Sequence, residues 1–178
     1  MTATGANLLL IGLRASGKST LGRLVAARLS RPFIDLDDRT AARLGEPSPA
    51  AALGRYGEPA FRAAEFAVLR ETLSGSGLVV ALGGGTPTAP GAAEMLERER
   101  AAGRAVIVYL HAAPDVLRAR LAATDVASRP SLTGRGTLEE IEALYAGRDG
   151  LYRRLADVVI EVQSAPPDAF AERISSLI

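Results

Sequence analysis

Gly12-Leu13-Arg14-Ala15-Ser16-Gly17-Lys18-Ser19 matches the pattern G-x-x-x-x-G-K-S/T, and the reading of the whole chain follows from it. Glycines at both ends let successive backbone N–H groups turn inward on an anion. A helix starting at once adds the positive end of its dipole. A lysine at this position carries a compact ammonium to the β and γ phosphates of a nucleotide, and the following hydroxyl ligates Mg²⁺. Lys18 is the only lysine of the chain; the other 20 basic residues are arginine. Arginine's planar fork suits carboxylates and surfaces, so the one position that departs from it is the one where an ammonium on a flexible stem is wanted.

The flanks supply the context that this loop requires. Asn7 to Gly12 is a short apolar run ending in glycine, which predicts a buried strand. Leu21, Leu24, Val25 and Leu29 recur at helical spacing and predict a helix from about Gly17 to Ser30, broken by Arg31-Pro32. Phe33–Asp37 reads as a second strand. Segments 39–45 and 59–73 read as helices, with Pro47, Pro49, Gly54 and Gly57 as punctuation between them. Further strands are predicted at 77–82, 105–110 and 157–162, and helices near 90–102, from Pro114 to about 123, at 138–155 and at 169–178. The polar segment 124–136 reads as a mobile loop. Five strands, apolar throughout and alternating with helices, predict an α/β fold with a parallel sheet covered on both faces. No repeat or linker divides residues 1–178, so one domain is expected.

Composition narrows the classes. A net charge of +1 with arginines scattered among carboxylates gives no field for nucleic acid or an anionic membrane. The four tyrosines, at 56, 109, 145 and 152, are too dispersed along the chain for a base-stacking platform. With no cysteine there is neither a disulfide framework nor a thiolate metal site. No apolar run reaches the roughly 20 residues that span a bilayer, and residues 1–7 lack the pattern of a signal peptide. A cytoplasmic protein without membrane or nucleic-acid partners, acting as a monomer, is expected. His111, the only histidine, reads as a strand-end surface residue.

Among nucleotide proteins, a GTPase switch needs an Asn-Lys-x-Asp base reader, which a chain with one lysine cannot contain. Leu73-Ser74-Gly75-Ser76-Gly77 only faintly resembles a transporter-ATPase signature and precedes the third strand, so it reads as a turn. A small-molecule kinase remains. Its acceptor would lie near Asp35 and Asp37, two apart on the second strand and on one face at its carboxyl end, where open α/β sheets bind ligands. Asp38 is the better candidate for capping the following helix.

The motifs now assembled resemble the shikimate kinases over nearly the whole chain. They are the phosphate loop through Thr20, Phe33-x-Asp35-x-Asp37, Gly57-Glu58-x-x-Phe61-Arg62-x-x-Glu65, Leu82-Gly83-Gly84-Gly85, Arg129-Pro130-x-Leu132-x-Gly134 and Arg148-x-x-Leu151-Tyr152. The resemblance implies a three-layer sandwich around a five-stranded parallel sheet, the P-loop NTPase fold of the nucleoside monophosphate kinase type. It implies an acceptor-binding segment at about 38–65 and a lid at about 124–136. The implied reaction moves the γ-phosphoryl of ATP to the 3-hydroxyl of shikimate, with Mg²⁺ as cofactor. By the same similarity Gly12, Ala15, Ser16, Gly17, Lys18, Ser19 and Thr20 hold the nucleotide, with Arg120 and Pro167 at adenine and Arg129 closing over the phosphates. Arg62 and Arg148 hold the acceptor carboxylate, the fork that this anion matches, and Gly83, Gly84 and Gly85 let the backbone approach its hydroxyls. Asp37 hydrogen-bonds the reacting hydroxyl; Ser19, and Asp35 through water, hold Mg²⁺. Lys18, Asp37 and Arg129 form the catalytic set. An ordinary aspartate, with pKa about 3.9, takes up an alkanol proton only late in the reaction.

The chain departs from the family pattern at Ala165-Pro166-Pro167, where an arginine before the proline is common, and in the proline- and alanine-rich stretch 46–54. The alternatives are another small-acceptor kinase, for gluconate or a nucleoside monophosphate, and a nucleotide-binding module without turnover.

Overall fold

A computed structural model describes residues 5–123, 140–163 and 165–178. Its centre is a five-stranded, all-parallel sheet in the order β2-β3-β1-β4-β5, with β1 at Asn7–Ile11, β2 at Phe33–Asp35, β3 at Val79–Ala81, β4 at Ala105–His111 and β5 at Val158–Glu161. Successive residues of a strand point to opposite faces. Leu8, Leu9, Leu10 and Ile11 all have no exposed surface, so helices cover the sheet on both sides of β1. Leu9 pairs in register with Val80 on one side and Ile107 on the other, and these residues belong to one continuous apolar core. The α/β class and five-stranded parallel sheet are as the sequence predicts.

The helices are α1 (Lys18–Leu29), α2 (Leu36–Arg43), α3 (Pro49–Leu73), α4 (Ala92–Ala101), α5 (Pro114–Ala122), α6 (Glu140–Leu155) and α7 (Pro167–Ser175), with a 3₁₀ turn at Thr86–Thr88. At Gly22 of α1 a Cβ would lie 2.4 Å from Cε2 of Phe33, so glycine is what allows α1 to seat against β2. Helix α1 also packs on α7, and α2 on α3. None of the described helices is long and apolar enough to cross a membrane.

Two segments differ from expectation. The second strand stops at Asp35 rather than Asp37, because Asp35 is the N-cap of α2: its side chain accepts from the Asp37 N–H at 3.2 Å. The capping carboxylate is therefore Asp35 and not Asp38. Residues 49–56 are helical where the prolines and glycines suggest loop. Ser48 caps α3 through the Ala51 N–H, and Pro49 occupies its first turn, where proline starts a helix instead of breaking it. The glycine that does interrupt is Gly57, at φ 76° and ψ 166°, which bends α3 just before Pro59. The expected lid at 124–136 lies outside the described residues.

Candidate active site

Loops at the carboxyl ends of the strands enclose a cleft of about 790 Å³. The loop after β1 forms one wall. Gly17 turns into α1 at φ 92°, and Ala15 sits at φ 62°, a left-handed conformation that costs a non-glycine residue of order 1–3 kcal/mol. At Gly12 a side chain is sterically excluded: its Cβ would stand 2.7 Å from the Leu110 carbonyl oxygen and 2.8 Å from Ser16 Oγ. Ser16 is buried, while Ala15, Gly17, Lys18, Ser19 and Thr20 all line the cleft. Lys18 Nζ donates to the Gly12 carbonyl at 2.8 Å and the Leu13 carbonyl at 2.9 Å, so the ammonium is folded back over its own loop.

Beside this wall, Ser19 Oγ donates to Asp35 Oδ2 at 2.5 Å. The hydroxyl and carboxylate are hard oxygen donors of the kind that Mg²⁺ takes. Among the described residues no group of three or more His, Cys, Asp or Glu is placed to hold a metal. Ser19, and Asp35 through water, would hold such a cation together with phosphate and water, which is how Mg²⁺ is commonly bound.

Asp37 reaches the same cleft from the first turn of α2. Burial, then the charge of Glu65, push its carboxyl up to about 7; Lys18 and Arg62 pull the other way without offsetting them. The ordinary aspartate value expected from sequence thus does not hold here. At about 7 the group is still far below an alkanol, but it is a stronger proton acceptor than a solvated aspartate.

The triple glycine after β3 is where the residues expected on the acceptor side meet. A Cβ on Gly83 would lie 2.3 Å from Asp37 Oδ1 and 2.4 Å from Glu65 Oε1. One on Gly85 would fall 2.4 Å from Cζ of Arg62. At two of the three glycines, side-chain ends are thus packed against bare backbone and would have to shift to admit a Cβ. Arg62 Nη1 donates to Glu65 Oε2 at 2.7 Å, and the fully buried Glu65 accepts the Thr86 hydroxyl on its other oxygen. From α6, Arg148 Nη1 donates to the Gly84 carbonyl at 2.7 Å, and the Tyr152 hydroxyl donates to the same oxygen. The sequence motifs contain Glu65 and Tyr152 but give neither a role. Each stands three or four residues along a helix from an arginine of the cleft, which is the signal that finds them.

At the far end, Arg120 lines the cleft and donates to the Val162 carbonyl, and Pro167 opens α7 near Ala165 and Phe170. Arg129 lies outside the described residues. His111 is not a surface residue: it is 8% exposed, with Nδ1 2.6 Å from Glu161 Oε2 and Nε2 3.0 Å from the Tyr145 hydroxyl. The reason is strand order, since β4 lies inside the sheet and its end is covered by β5 and α6. Three tyrosines dispersed in sequence come together around it. Tyr109 and Tyr152 meet edge to face at 5.2 Å, and Tyr145 packs on His111, but Tyr109 and Tyr152 are buried and offer no stacking surface.

A phosphate loop after β1, a parallel sheet in this order and a cluster of Asp37, Arg62 and Arg148 in the same cleft define an ATP-dependent phosphotransferase of the P-loop kinase class. The family model "Shikimate kinase" matches residues 14–178. Shikimate kinases of Pseudomonas savastanoi pv. phaseolicola and Cupriavidus pinatubonensis are 41% and 40% identical over 161 and 155 residues, covering 90% and 87% of this chain and 89% and 77% of theirs. The solved structure of the Acinetobacter baumannii shikimate kinase in complex with shikimate superposes with a TM-score of 0.85 at 31% identity, covering 97% of this chain and 92% of that one. The chain belongs to the shikimate kinase family. A gluconokinase from Sinorhizobium meliloti, at 18% identity and a TM-score of 0.58, shares the fold alone.

Proposed function

We propose that the protein transfers the γ-phosphoryl group of ATP to the 3-hydroxyl of shikimate, giving ADP and 3-phosphoshikimate, as a cytoplasmic monomer. The observation that carries this reading is the convergence on one glycine turn, beside the phosphate loop in the same cleft, of a carboxylate, Asp37, and two guanidiniums, Arg62 and Arg148. A small acid bearing hydroxyls fits that set: the two forks take its carboxylate, and Asp37 takes a hydroxyl. The backbone of residues 83–85 approaches its ring.

In this mechanism the bond from the acceptor oxygen to the γ-phosphorus forms as the bond from that phosphorus to the bridging oxygen breaks, and ADP leaves. The transition state is loose, so positioning and charge compensation dominate. Asp37 orients the hydroxyl and receives its proton late. Lys18 swings from its loop carbonyls to the phosphates and offsets charge on the transferred group. Ser19 would hold Mg²⁺ directly and Asp35 through water; when bound, the cation neutralises phosphate charge. Residues 12–20 cradle the phosphates, Arg120 and Pro167 flank adenine, and Arg129 completes the nucleotide side from the segment at 124–136.

The test is an ADP-release assay with Mg·ATP against shikimate, gluconate and the nucleoside monophosphates. Turnover with shikimate at a kcat/KM at least about 10²-fold above the others is expected; a preference for another acceptor overturns the reading. In the same assay Arg62→Ala should raise KM for shikimate about 10- to 150-fold, the range of a lost charge-assisted hydrogen bond, while KM for ATP stays within about 3-fold. Equal increases for both substrates would place the acceptor elsewhere. This variant should also melt lower than wild type, because Glu65 loses its guanidinium partner inside the protein.

A further inference from the structure

We propose that Tyr152 is a positioning residue for the phosphate acceptor: its hydroxyl holds the Gly84 carbonyl, and through it sets the glycine turn against Arg148, Arg62 and Asp37. The inference rests on the acceptor-site reading above. Tyr152 has no exposed surface and is not part of the cleft wall, so it acts from behind the residues that face the acceptor.

Four observations carry it. Arg148 and Tyr152 are four residues apart on α6 and therefore share a face. Both donate to one oxygen, the Gly84 carbonyl, so its two lone pairs are both used and the middle of the turn is held from two directions. The glycines on either side of Gly84 are packed against the residues of the cleft. Gly83 is packed on Asp37 and Glu65, and Gly85 on the Arg62 guanidinium, at separations that leave no room even for a methyl group. A movement of the Gly84 carbonyl is thus passed to a catalytic carboxylate on one side and to a carboxylate-binding fork on the other. Finally, the tyrosine ring is itself packed edge-on by the ring of Tyr109, a contact that does not need the Tyr109 hydroxyl.

Burial pushes the Tyr152 phenol up to about 12, so it keeps its proton and remains a donor across the working pH range. Losing that donor leaves Arg148 as the sole side-chain partner of the carbonyl. The middle of the turn is then held from one direction instead of two, and it is free to tilt against the residues packed on it.

The experiment compares Tyr152→Phe with Tyr109→Phe in the full chain. Each removes one buried phenolic hydroxyl from the same aromatic pair, and each should lower the melting temperature by a similar few degrees. Tyr152→Phe should raise KM for the acceptor about 3- to 10-fold, the range of one neutral hydrogen bond, with KM for ATP within about 2-fold of wild type. The acceptor effect should be equal at about pH 6 and about pH 9, both well below the raised phenol. Tyr109→Phe should leave acceptor KM within about 2-fold. The same rise in both variants, or a rise for ATP as large as for the acceptor, overturns the proposal and makes Tyr152 a packing residue only. An acceptor effect that disappears at the higher pH also overturns it, since the hydroxyl would then act by titrating. The acceptor panel keeps the two readings apart. If wild type prefers an acid other than shikimate, the shikimate reading fails, and a selective rise in KM for the preferred acid still establishes Tyr152 as the positioning group.

Discussion

Lys18→Ala should lower kcat by about 10³-fold or more while the protein remains folded. The ammonium is the only one that any side chain of this protein supplies. In the folded chain it donates to two carbonyls of its own loop, at 2.8 and 2.9 Å. Both are main-chain oxygens beside the cleft that Lys18 lines, where water can take the place of the ammonium. Its removal also takes a favourable charge away from Asp37, so the variant should melt lower yet remain folded, whereas charge developing on the transferred phosphoryl loses its compensating cation. Such an effect is worth about 10²–10³ for a single donor even when that donor is uncharged. Lys18→Arg is the sharper comparison, because the chain uses arginine at every other basic position. A planar fork cannot place one compact donor between the Gly12 and Leu13 carbonyls and then the phosphates, so kcat should fall by about 10²-fold with the charge retained. Single-turnover measurements with saturating Mg·ATP read both effects. Wild-type rates in either variant would mean that the loop binds a nucleotide without taking part in transfer.

The phosphate loop is legible in the sequence because all its parts are contiguous: strand, glycines, lysine and helix lie within residues 7–30 and need no tertiary partner to be recognised. The parallel sheet is legible for a similar reason, since strands such as Leu8–Ile11 are apolar on both faces and only a doubly covered sheet buries them so. What cannot be read there is anything decided by a distant residue. Phe33-Ile34-Asp35-Leu36 has the alternation of a strand, yet Asp35 turns its carboxylate to cap α2 and to accept from Ser19, sixteen residues back. Asp37 therefore enters the cleft from a helix and not from a strand edge. The partnership of Glu65 with Thr86 spans 21 residues and that of Tyr152 with Gly84 spans 68, so neither leaves a local signature beyond its helical distance from an arginine. His111 misleads for the same cause: whether a strand end is exposed depends on strand order, and order is not written in the strand.

Asp37→Asn separates the two consequences of placing a carboxylate where this one sits. The amide keeps the shape but cannot accept the acceptor's proton, so kcat should drop about 10²- to 10⁴-fold, with ATP affinity within about 3-fold of wild type. The same substitution should stabilise the protein, and the pH dependence gives the sign. An ordinary aspartate loses its proton near 3.8, while burial first and Glu65 second push folded Asp37 up to about 7. Between those values the folded chain holds a proton that the unfolded chain has released, so the contribution of Asp37 to stability is fully present below about pH 4 and is lost as pH rises to about 7. The uncharged amide carries no such dependence. In protein free of metal and nucleotide, the variant and wild type should melt together near pH 4. The variant's advantage should then grow up to about pH 7 and stay constant above it. The carboxylate opens onto the cleft, where water moderates the effect, so the direction and the pH window are the quantities to be checked. A variant that gains no stability at about pH 8 would show Asp37 to be ordinarily ionised. One that gains stability but keeps wild-type turnover would show a buried charge retained for something other than phosphoryl transfer. The expected pair, lower activity with higher stability, is what a carboxylate held in an unfavourable place for its chemistry produces.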